Sequence, residues 1–246
     1  MEKPPYLCGV KITQAMETQN LFCYPHPHPA VTTDCVIFSF DGMRLQVLLI
    51  ERGIEPFKGR WALPGGFVRI DESADECARR ELREETGIAE CYMEQLQAFS
   101  AVNRDPRERV ITIAYYALVR NQEVVGGDDA ARARWVALDD VPPLAFDHDH
   151  ILRVALTRLR QDIHFKPIGF ELLPEQFTMK DLQMLYEAIL DVHFDRRNFH
   201  KKMMHLDLLI ATNETTRQSP KRDAMLYRFN ATSYDQLKQK GFRLEF

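Results

Sequence analysis

The sequence predicts an α+β protein, in which a mixed β-sheet with helices packed against it is followed by a smaller unit of helices and a hairpin. Two observations support this. Between positions 30 and 163, β-rich runs surround one strongly acidic helical segment. After a proline-containing connection at 164–177, the pattern changes to helix, helix, hairpin and short helix. We therefore expect an N-terminal arm at 1–29, a first domain at 30–163 and a second domain at 164–246.

The composition favours a cytoplasmic protein that does not enter membranes. Of the 246 residues, 45% are hydrophobic and 28% are charged, which is typical of soluble globular proteins. The five cysteines lack metal-type spacing, so a reducing compartment is expected. We find no secretory signal and no apolar run of about 18 residues. A formal net charge of −4 gives no global attraction to nucleic acid, although a local basic surface is compatible with it.

The first domain begins after an arm in which His26 and His28 alternate with prolines, a pattern more typical of an extended segment than of a metal site. Two β-rich runs, VTTDCVIFSF and RLQVLLIERG, are joined at Asp41-Gly42, a strong hairpin-turn dipeptide. Further strands are predicted at 91–102, 109–119 and 133–138, the last following a turn at 126–127. An amphipathic helix is predicted at 150–163.

The stretch GFVRIDESADECARRELREETGI, at 66–88, is the most informative part of the chain. The glycine pair at 65–66 allows a ligand to approach the backbone closely, with N–H groups able to face phosphate oxygens. In the helix that follows, Glu81, Glu84 and Glu85 share one face because of their i, i+3 and i+4 spacing. Such carboxylates repel one another unless a cation neutralises them, and ligands made only of oxygen favour Mg²⁺ or Mn²⁺.

An ordinary solvated acidic face is the alternative for three glutamates alone. The fixed positions around them favour the metal site instead. They form the pattern G-x5-E-x7-R-E-L-x-E-E-x-G-I, with every position filled. This pattern resembles the signature of the Nudix family, hydrolases of nucleoside diphosphates linked to another moiety. The resemblance implies a Nudix-type mixed β-sheet in an α/β/α sandwich, and a reaction in which metal-activated water attacks a diphosphate.

The resemblance also assigns roles to residues. The implied metal ligands are Glu81 and Glu85, with Glu84 a further ligand and the carbonyl of Gly65 or Gly66 completing the set. Arg80 and Glu72 are implied to form an ion pair that orients the helix against the glycines. Together these are the catalytic candidates.

The general base is expected outside this pattern, on a loop. The candidates, which the sequence does not rank, are Asp105, Glu108 and Glu123. Arginines in the same loop can clamp a phosphate or carboxylate of the ligand, and a solvated hairpin tip is an equal alternative. They are Arg104, Arg107 and Arg109. Three aromatic residues flank the glycines, and core packing is favoured over base stacking for them. They are Phe57, Trp61 and Phe67.

The second domain carries a separate signal. Thr178 can cap one helix and Asp195 a second. On the second helix, Phe199 fits a buried side, and Arg197 and Lys201 point nearly opposite. A hairpin with a basic tip follows. From position 196 to 222 there are seven Lys or Arg and two acidic residues, a local net charge of +5 in a chain whose total is −4. Segregated positive charge of this kind is typical of DNA binding.

The arrangement resembles a C-terminal winged helix-turn-helix domain, and DRRNFHKK at 195–202 resembles the recognition-helix segment of Nudix-type transcription regulators of NAD or sugar metabolism. In those regulators a Nudix domain senses a metabolite, typically ADP-ribose or a sugar, and the tail binds operator DNA. The resemblance implies contacts to double-stranded DNA from the helix and the wing. The residues expected to make them are Arg196, Arg197, Asn198, Lys201, Lys202, Arg217, Lys221 and Arg222. A homodimer on a palindromic site is also implied.

Two functions are therefore considered. The first is a metabolite-responsive transcription regulator whose Nudix domain binds, and hydrolyses with Mg²⁺ or Mn²⁺, a nucleoside-diphosphate-linked compound such as ADP-ribose. The second is a purely metabolic hydrolase of ADP-ribose or a nucleotide sugar, with the tail as an accessory or dimerisation module. The basic tail favours the regulator, and the undamaged pattern at 66–88 favours a working hydrolase.

Overall fold

A seven-stranded mixed sheet and a three-stranded sheet form the framework of the chain. The computed structural model describes residues 26–122, 130–219 and 222–239. The strands of the larger sheet are β1 (Ala30–Phe40), β2 (Leu45–Arg52), β3 (Trp61–Ala62), β4 (Gly65–Phe67), β5 (Tyr92–Phe99), β6 (Val110–Leu118) and β7 (Ala130–Ala137). Most of the predicted arm and the predicted turn at 126–127 lie outside the described residues.

Strand β1 lies at the centre of the larger sheet. It runs parallel to β6 and antiparallel to β2 and β4, and the main order is β3-β2-β1-β6-β5, with β7 paired to β2. The predicted hairpin between β1 and β2 is present, because Asp41 Oδ1 accepts hydrogen bonds from the amides of Met43 at 2.8 Å and Arg44 at 2.7 Å. The mixed sheet predicted from the sequence is confirmed.

Helices cover both faces of this sheet. They are α1 (Ala74–Thr86) and α2 (His148–Asp162). Successive side chains of a strand point to opposite faces. In β1, Cys35 and Ile37 accordingly pack in the cluster that contains residues of α1. Val36 and Phe38 pack in the cluster that contains residues of α2. The helix–sheet–helix layers are those of the expected sandwich.

Local signals explain where α1 begins and ends. Ser73 Oγ accepts from the amide of Glu76 at 3.2 Å, and Glu76 Oε2 accepts from the amide of Ser73 at 2.8 Å, which forms a capping box. Gly87 ends the helix with a left-handed φ of 76°, a conformation that glycine adopts without steric cost. The helix is therefore fixed at both ends, and a short segment at 68–73 connects it to the glycine-containing strand β4.

The C-terminal unit consists of two helices, a short strand, a hairpin and a final helix. They are β8 (Phe177–Thr178), α3 (Met179–Leu190), α4 (Arg196–His205), β9 (Leu209–Ser219), β10 (Arg222–Phe229) and α5 (Ala231–Gln239). Strands β8, β10 and β9 form the three-stranded sheet in that order. Thr178 caps α3 in a capping box with Asp181, and Asp195 caps α4 by accepting from the amide of Asn198 at 2.9 Å. This is the predicted winged helix-turn-helix.

The connection between the two units is not an exposed linker. Ile168, Phe170 and Leu172, in a short 3-10 segment, are buried in one hydrophobic cluster. The same cluster holds Ile151 of α2 and Leu185 of α3, so the core of the C-terminal unit is continuous with one face of the larger sheet. None of the described helices combines the length and apolar character that a membrane crossing requires.

Candidate ligand pocket and nucleic-acid surface

A cavity of about 380 Å³ opens beside the glycines of β4. Strands β1 and β2, the outward face of α1, the loop between β5 and β6 and the start of α2 all contribute to its wall. The candidate residues that line it are Gly65, Gly66, Arg80, Glu81, Glu84, Glu85, Arg104, Asp105 and Arg107. Residues distant in sequence, from the signature helix and from the loop, therefore meet in one site.

The three glutamates of α1 have different environments. Glu85 is buried, and its Oε2 accepts a hydrogen bond from the amide of Gly65 at 2.8 Å. The Glu81 side chain is mostly enclosed, whereas that of Glu84 is 48% exposed. Burial raises the pKa of Glu81, although a hydrogen bond from Arg80 opposes this effect. The acidic face is therefore partly desolvated, unlike an ordinary solvated helix surface.

The expected ion pair between Arg80 and Glu72 is present as a two-pronged contact. Arg80 Nη2 lies 2.6 Å from Glu72 Oε1, and Nε lies 2.9 Å from Oε2. Hydrogen bonding from Arg80 lowers the pKa of Glu72 to about 2. Arg80 Nη2 also donates to the carbonyl of Phe67 at 3.3 Å. The guanidinium group thus ties the signature helix to the end of β4.

The two glycines have different steric roles. A Cβ atom on Gly66 would lie 2.2 Å from Glu81 Oε1, so the missing side chain leaves the space in which that carboxylate sits. A Cβ on Gly65 would instead lie 2.1 Å from the backbone carbonyl oxygen of Thr33. Both glycines belong to a strand paired with β1 rather than to an open loop. Gly66 therefore shapes the acidic site, and Gly65 permits the strand pairing.

The donor set fits a hard divalent cation in its chemistry. Glu81, Glu84 and Glu85 offer carboxylate oxygens only, and the space at Gly66 holds one of these groups against the backbone. Within the described ranges, no group of three or more Asp, Glu, His or Cys side chains is arranged closely enough to hold a metal ion. Arg80 Nη1 contacts both Glu81, at 2.6 Å, and Glu84, at 3.0 Å. A protein cation therefore neutralises part of the acidic face in this structure.

The arginines of the β5–β6 loop reach the pocket already paired. Arg104 has a side chain only 3% exposed and binds Asp34 and Asp147. Arg107 binds Asp105 through two nitrogens, at 3.0 and 2.7 Å. The loop tip is thus not simply solvated at these positions. Arg109 does not line the pocket but donates to the carbonyls of Ala101 and Ser100.

The base candidates are constrained by the same contacts. Burial acts to raise the pKa of Asp105, but hydrogen bonds from Arg107 lower it overall. Glu108 is exposed and is not part of the pocket wall, and Glu123 lies outside the described residues. Of the two candidates within the described residues, Asp105 lines the pocket, and its lowered pKa makes it a weak proton acceptor.

The sequence reasoning missed several pocket residues, and those with the most chemistry to offer are Asp34, Phe146 and His148. His148 is buried, and its Nδ1 accepts a hydrogen bond from the amide of Leu63 at 2.9 Å. Its Nε2 lies 3.5 Å from Asp34 Oδ1. Asp34 lies within an apolar β-run and His148 just before the predicted helix start, so no local signal marked either residue.

Of the three aromatic candidates, one lines the pocket. Phe67 is 43% exposed and faces the cavity beside Arg107. Trp61 packs against the main core with Arg134 over its ring, and Phe57 meets Phe146 edge to face. Core packing, the favoured expectation, therefore holds for Trp61 and Phe57.

The second candidate surface is the outer side of α4. Phe199 and Met203 are buried against the core. The side chains on the other side of the helix are exposed, and they include Arg196, Arg197, Asn198 and Lys201, whereas Lys202 is half-buried. Arg217 and Arg222 lie at the ends of β9 and β10. The side chains of those two residues, and the whole of Lys221, are outside what the structure describes.

Comparison with known families agrees with this division of surfaces. The family model for the NUDIX domain matches residues 28–155, and the model for the NrtR DNA-binding winged helix domain matches residues 169–229. The first match contains the pocket with the acidic helix. The second contains α3, α4 and the hairpin.

Individual proteins show the same resemblance. The chain is 36% identical over 218 residues to an ADPR responsive transcriptional repressor of Acinetobacter baylyi, covering 85% of this chain and 86% of the relative. It is 42% identical over 126 residues to an ADP-ribose pyrophosphatase of Methanocaldococcus jannaschii, covering 51% and 72%. It is also similar to the crystal structure of Shewanella oneidensis NrtR complexed with a 27mer DNA, with a TM-score of 0.74, 32% identity and coverage of 87% and 96%. The chain belongs to the Nudix family and joins a Nudix domain to a winged helix domain of the NrtR type.

Proposed function

We propose that this protein is a transcription regulator that binds ADP-ribose in the pocket beside β4 and double-stranded DNA through α4 and the wing. One observation carries the proposal. The exposed side of α4 is rich in cations, while its other side packs into a core shared with the pocket-bearing domain. A relative covering most of the chain is an ADPR responsive repressor, which supports the ligand and the regulatory role.

The pocket suits a diphosphate held through a metal ion. Nudix hydrolases generally need a divalent metal, and we assign Mg²⁺ or Mn²⁺ here because the donors are all oxygen. Glu81, Glu84 and Glu85 would hold it, with the carbonyl of Gly66. When bound, such an ion offsets phosphate charge and lowers the pKa of water. Arg80 ties helix α1 to the end of β4 through the carbonyl of Phe67. The carboxylates of α1 therefore keep a fixed position relative to the glycines and the ligand.

The remaining pocket residues position the ligand. Arg107 lies beside Phe67 and Phe146, with its guanidinium carbon 5.4 and 5.7 Å from the ring centroids. It is partly exposed, so it can turn toward an anionic group of the ligand. Arg104 is enclosed between Asp34 and Asp147 and stays paired with both as part of the pocket wall. We therefore assign ligand contact to Arg107, Gly65 and Gly66, with Arg104 as part of the supporting framework.

DNA binding is assigned to the basic helix. Arg196, Arg197, Asn198 and Lys201 project from α4 toward solvent and would enter or border the major groove. Lys202, half-buried, would contact a phosphate at the groove edge. Arg217, Lys221 and Arg222 would extend the contact from the wing. We expect the protein to act in the cytoplasm as a homodimer on a palindromic site, and we place the boundary between its two domains at 163–164.

The direct test is a gel shift with DNA from upstream of the protein's own gene, in the presence and absence of ADP-ribose. Binding that changes with ADP-ribose is expected. Failure of the protein to bind any sequence in a selection from random duplexes would rule out the regulator.

A second activity, hydrolysis of ADP-ribose, is favoured by the complete signature at 66–88 and by the similarity to an ADP-ribose pyrophosphatase. Turnover with Mg²⁺ should be abolished in Glu85→Gln. This variant is informative because glutamine can still accept the hydrogen bond from the amide of Gly65 while losing the negative charge. Absence of turnover across ADP-ribose and nucleotide sugars in the wild type would exclude hydrolysis and leave a binding pocket only.

A further inference from the structure

We infer that helix α2 transmits the state of the ligand pocket to the DNA-binding helix, through hydrogen bonds at its two ends. The inference rests on the proposed function and concerns how the pocket regulates DNA binding. The helix spans His148–Asp162, a length of about 22 Å at 1.5 Å per residue. Its first residue lines the pocket, and its last turn contacts α3.

The N-terminal end of α2 is fixed to the pocket wall. His148 accepts from the amide of Leu63, just before the glycine strand, at 2.9 Å. The side chain of Asp147, at the N-cap position, makes no capping hydrogen bond to the helix. Its carboxylate instead accepts from Arg104 at 2.7 and 3.1 Å. Because Arg104 and His148 both line the cavity, a ligand that shifts either one also moves the start of α2.

The C-terminal end of α2 is fixed to the winged helix. Arg160 Nε donates to the carbonyl of Ile189 at 2.8 Å. Ile189 is in the last turn of α3, where carbonyls lack partners within the helix. Between the two ends, Ile151, Ala155 and Leu159 of α2 are buried in the cluster that also contains Ile189. Close packing of this kind makes the helix move as a unit rather than bend locally.

From α3 the contacts continue to the recognition helix. Gln183 Nε2 donates to the carbonyl of Phe194 at 2.9 Å, and the amide of Phe194 donates to Glu187 Oε1 at 2.8 Å. Phe194 directly precedes Asp195, the cap of α4. A displacement of α3 is therefore passed to the position where α4 begins. The chain of contacts runs from the pocket wall to the DNA-facing helix without an exposed linker.

The test measures coupling rather than binding alone. The dissociation constant for a DNA duplex that the protein binds is measured with and without saturating ADP-ribose, for wild type and for Arg160→Met. The ratio of the two constants is the coupling factor, which typically lies between about 5 and 150 in allosteric proteins. In Arg160→Met we expect the factor to fall toward 1. The separate affinities for ADP-ribose and for DNA without ligand should stay within about twofold of wild type, since Arg160 touches neither surface.

Arg153→Met is the matched control, because Arg153 is on the same helix but exposed. It should keep the wild-type coupling factor. If thermal unfolding shows that Arg160→Met is not folded, Gln183→Leu, which breaks the contact with Phe194, replaces it with the same expected result. A wild-type coupling factor in a folded Arg160→Met or Gln183→Leu protein would overturn the proposed role of α2 but leave the proposed regulation standing. A wild-type protein that binds ADP-ribose and DNA without any coupling would overturn the proposed regulation together with this inference.

Discussion

The Nδ1 atom of His148 accepts a hydrogen bond from the amide of Leu63 at 2.9 Å, which joins residues 85 positions apart in the sequence. The imidazole is buried and must leave Nδ1 unprotonated to accept this bond. Its Nε2 faces Asp34, 3.5 Å away. The charged groups around it are Asp34, Arg104, Asp147 and Arg52, and burial lowers the pKa of His148 overall.

This arrangement predicts a pH-dependent stability. A histidine whose pKa is lowered by folding binds a proton more readily when unfolded, so the native state loses stability as the pH falls below the unfolded value of about 6.5. Between pH 7.5 and 5.5 we expect the free energy of unfolding to decrease by about 1 kcal/mol more in wild type than in His148→Asn. The asparagine oxygen can replace Nδ1 as acceptor but does not titrate. Urea denaturation at the two pH values measures this, and equal pH dependence in both proteins would contradict it.

Alanine substitutions at the neighbouring Gly66 and Gly65 should affect different properties: the first should affect ligand binding or turnover, and the second should affect stability. In Gly66→Ala the new Cβ meets the movable end of Glu81, so the fold should survive while metal-dependent turnover or ligand binding falls by about 10²-fold, as expected for a misplaced reactive group. In Gly65→Ala the Cβ meets the backbone of Thr33, so the free energy of unfolding should fall by about 1–3 kcal/mol. Urea denaturation measures the stability of each variant, and isothermal titration with ADP-ribose and Mg²⁺ measures its ligand binding. If Gly66→Ala binds ADP-ribose and Mg²⁺ with wild-type affinity, the position of Glu81 is not needed for ligand binding.

The basic face of α4 predicts a specific salt dependence. Each phosphate contact contributes about one unit to the slope of log K against log salt concentration. Replacing Arg197 and Lys201 by alanine should reduce this slope by about 2 and weaken DNA binding. Arg153→Ala, an exposed change on α2, should leave the slope unaltered. Fluorescence anisotropy at several salt concentrations makes the comparison. An unchanged slope in the double variant would mean that another surface holds the DNA.

A buried tyrosine contact near the junction of the two units should contribute to stability. Tyr116 is fully buried, and its hydroxyl donates to Asp162 Oδ2 at 2.6 Å. Lys166, in the connecting segment, is 3.4 Å from the same oxygen. Tyr116→Phe removes a hydrogen bond to a charged group and should lower the free energy of unfolding by about 2 kcal/mol.

Tyr115→Phe is the matched control for this change. The Tyr115 hydroxyl also binds a carboxylate, but that of Asp75, which is exposed. Water can take over that contact, so the loss of stability should be less than half as large. Equal losses in the two variants, measured by urea denaturation, would contradict a special role for the buried contact.

Patterned segments could be predicted from the sequence because their signals are local. The hairpin at Asp41, the capped helix ending at Gly87 and the caps at Thr178 and Asp195 each follow from residues within one or two turns. The signature also predicted which residues of α1 face one site. Its spacing is a property of the helix itself and does not depend on distant partners.

The rest of the site depends on contacts between distant segments. Asp34 lies in an otherwise apolar strand, so its sequence context gave no sign of a site residue. Its partner Arg104 comes from a loop 70 positions away. The same pairing explains why Arg104 is enclosed rather than free to clamp a ligand. The buried connection around Phe170 was equally hard to predict, since its proline and glycine content is typical of exposed loops. Only the packed structure reveals these partners.

The central claim is that one protein binds both ADP-ribose and DNA and couples the two. The most direct measurement is fluorescence anisotropy of a labelled duplex bound to the wild-type protein, titrated with ADP-ribose. We predict that saturating ADP-ribose changes the DNA dissociation constant by at least about fivefold. By linkage, the ADP-ribose dissociation constant should change by the same factor when DNA is bound. An unchanged DNA dissociation constant, at concentrations where calorimetry shows the pocket filled with ADP-ribose, would contradict the account.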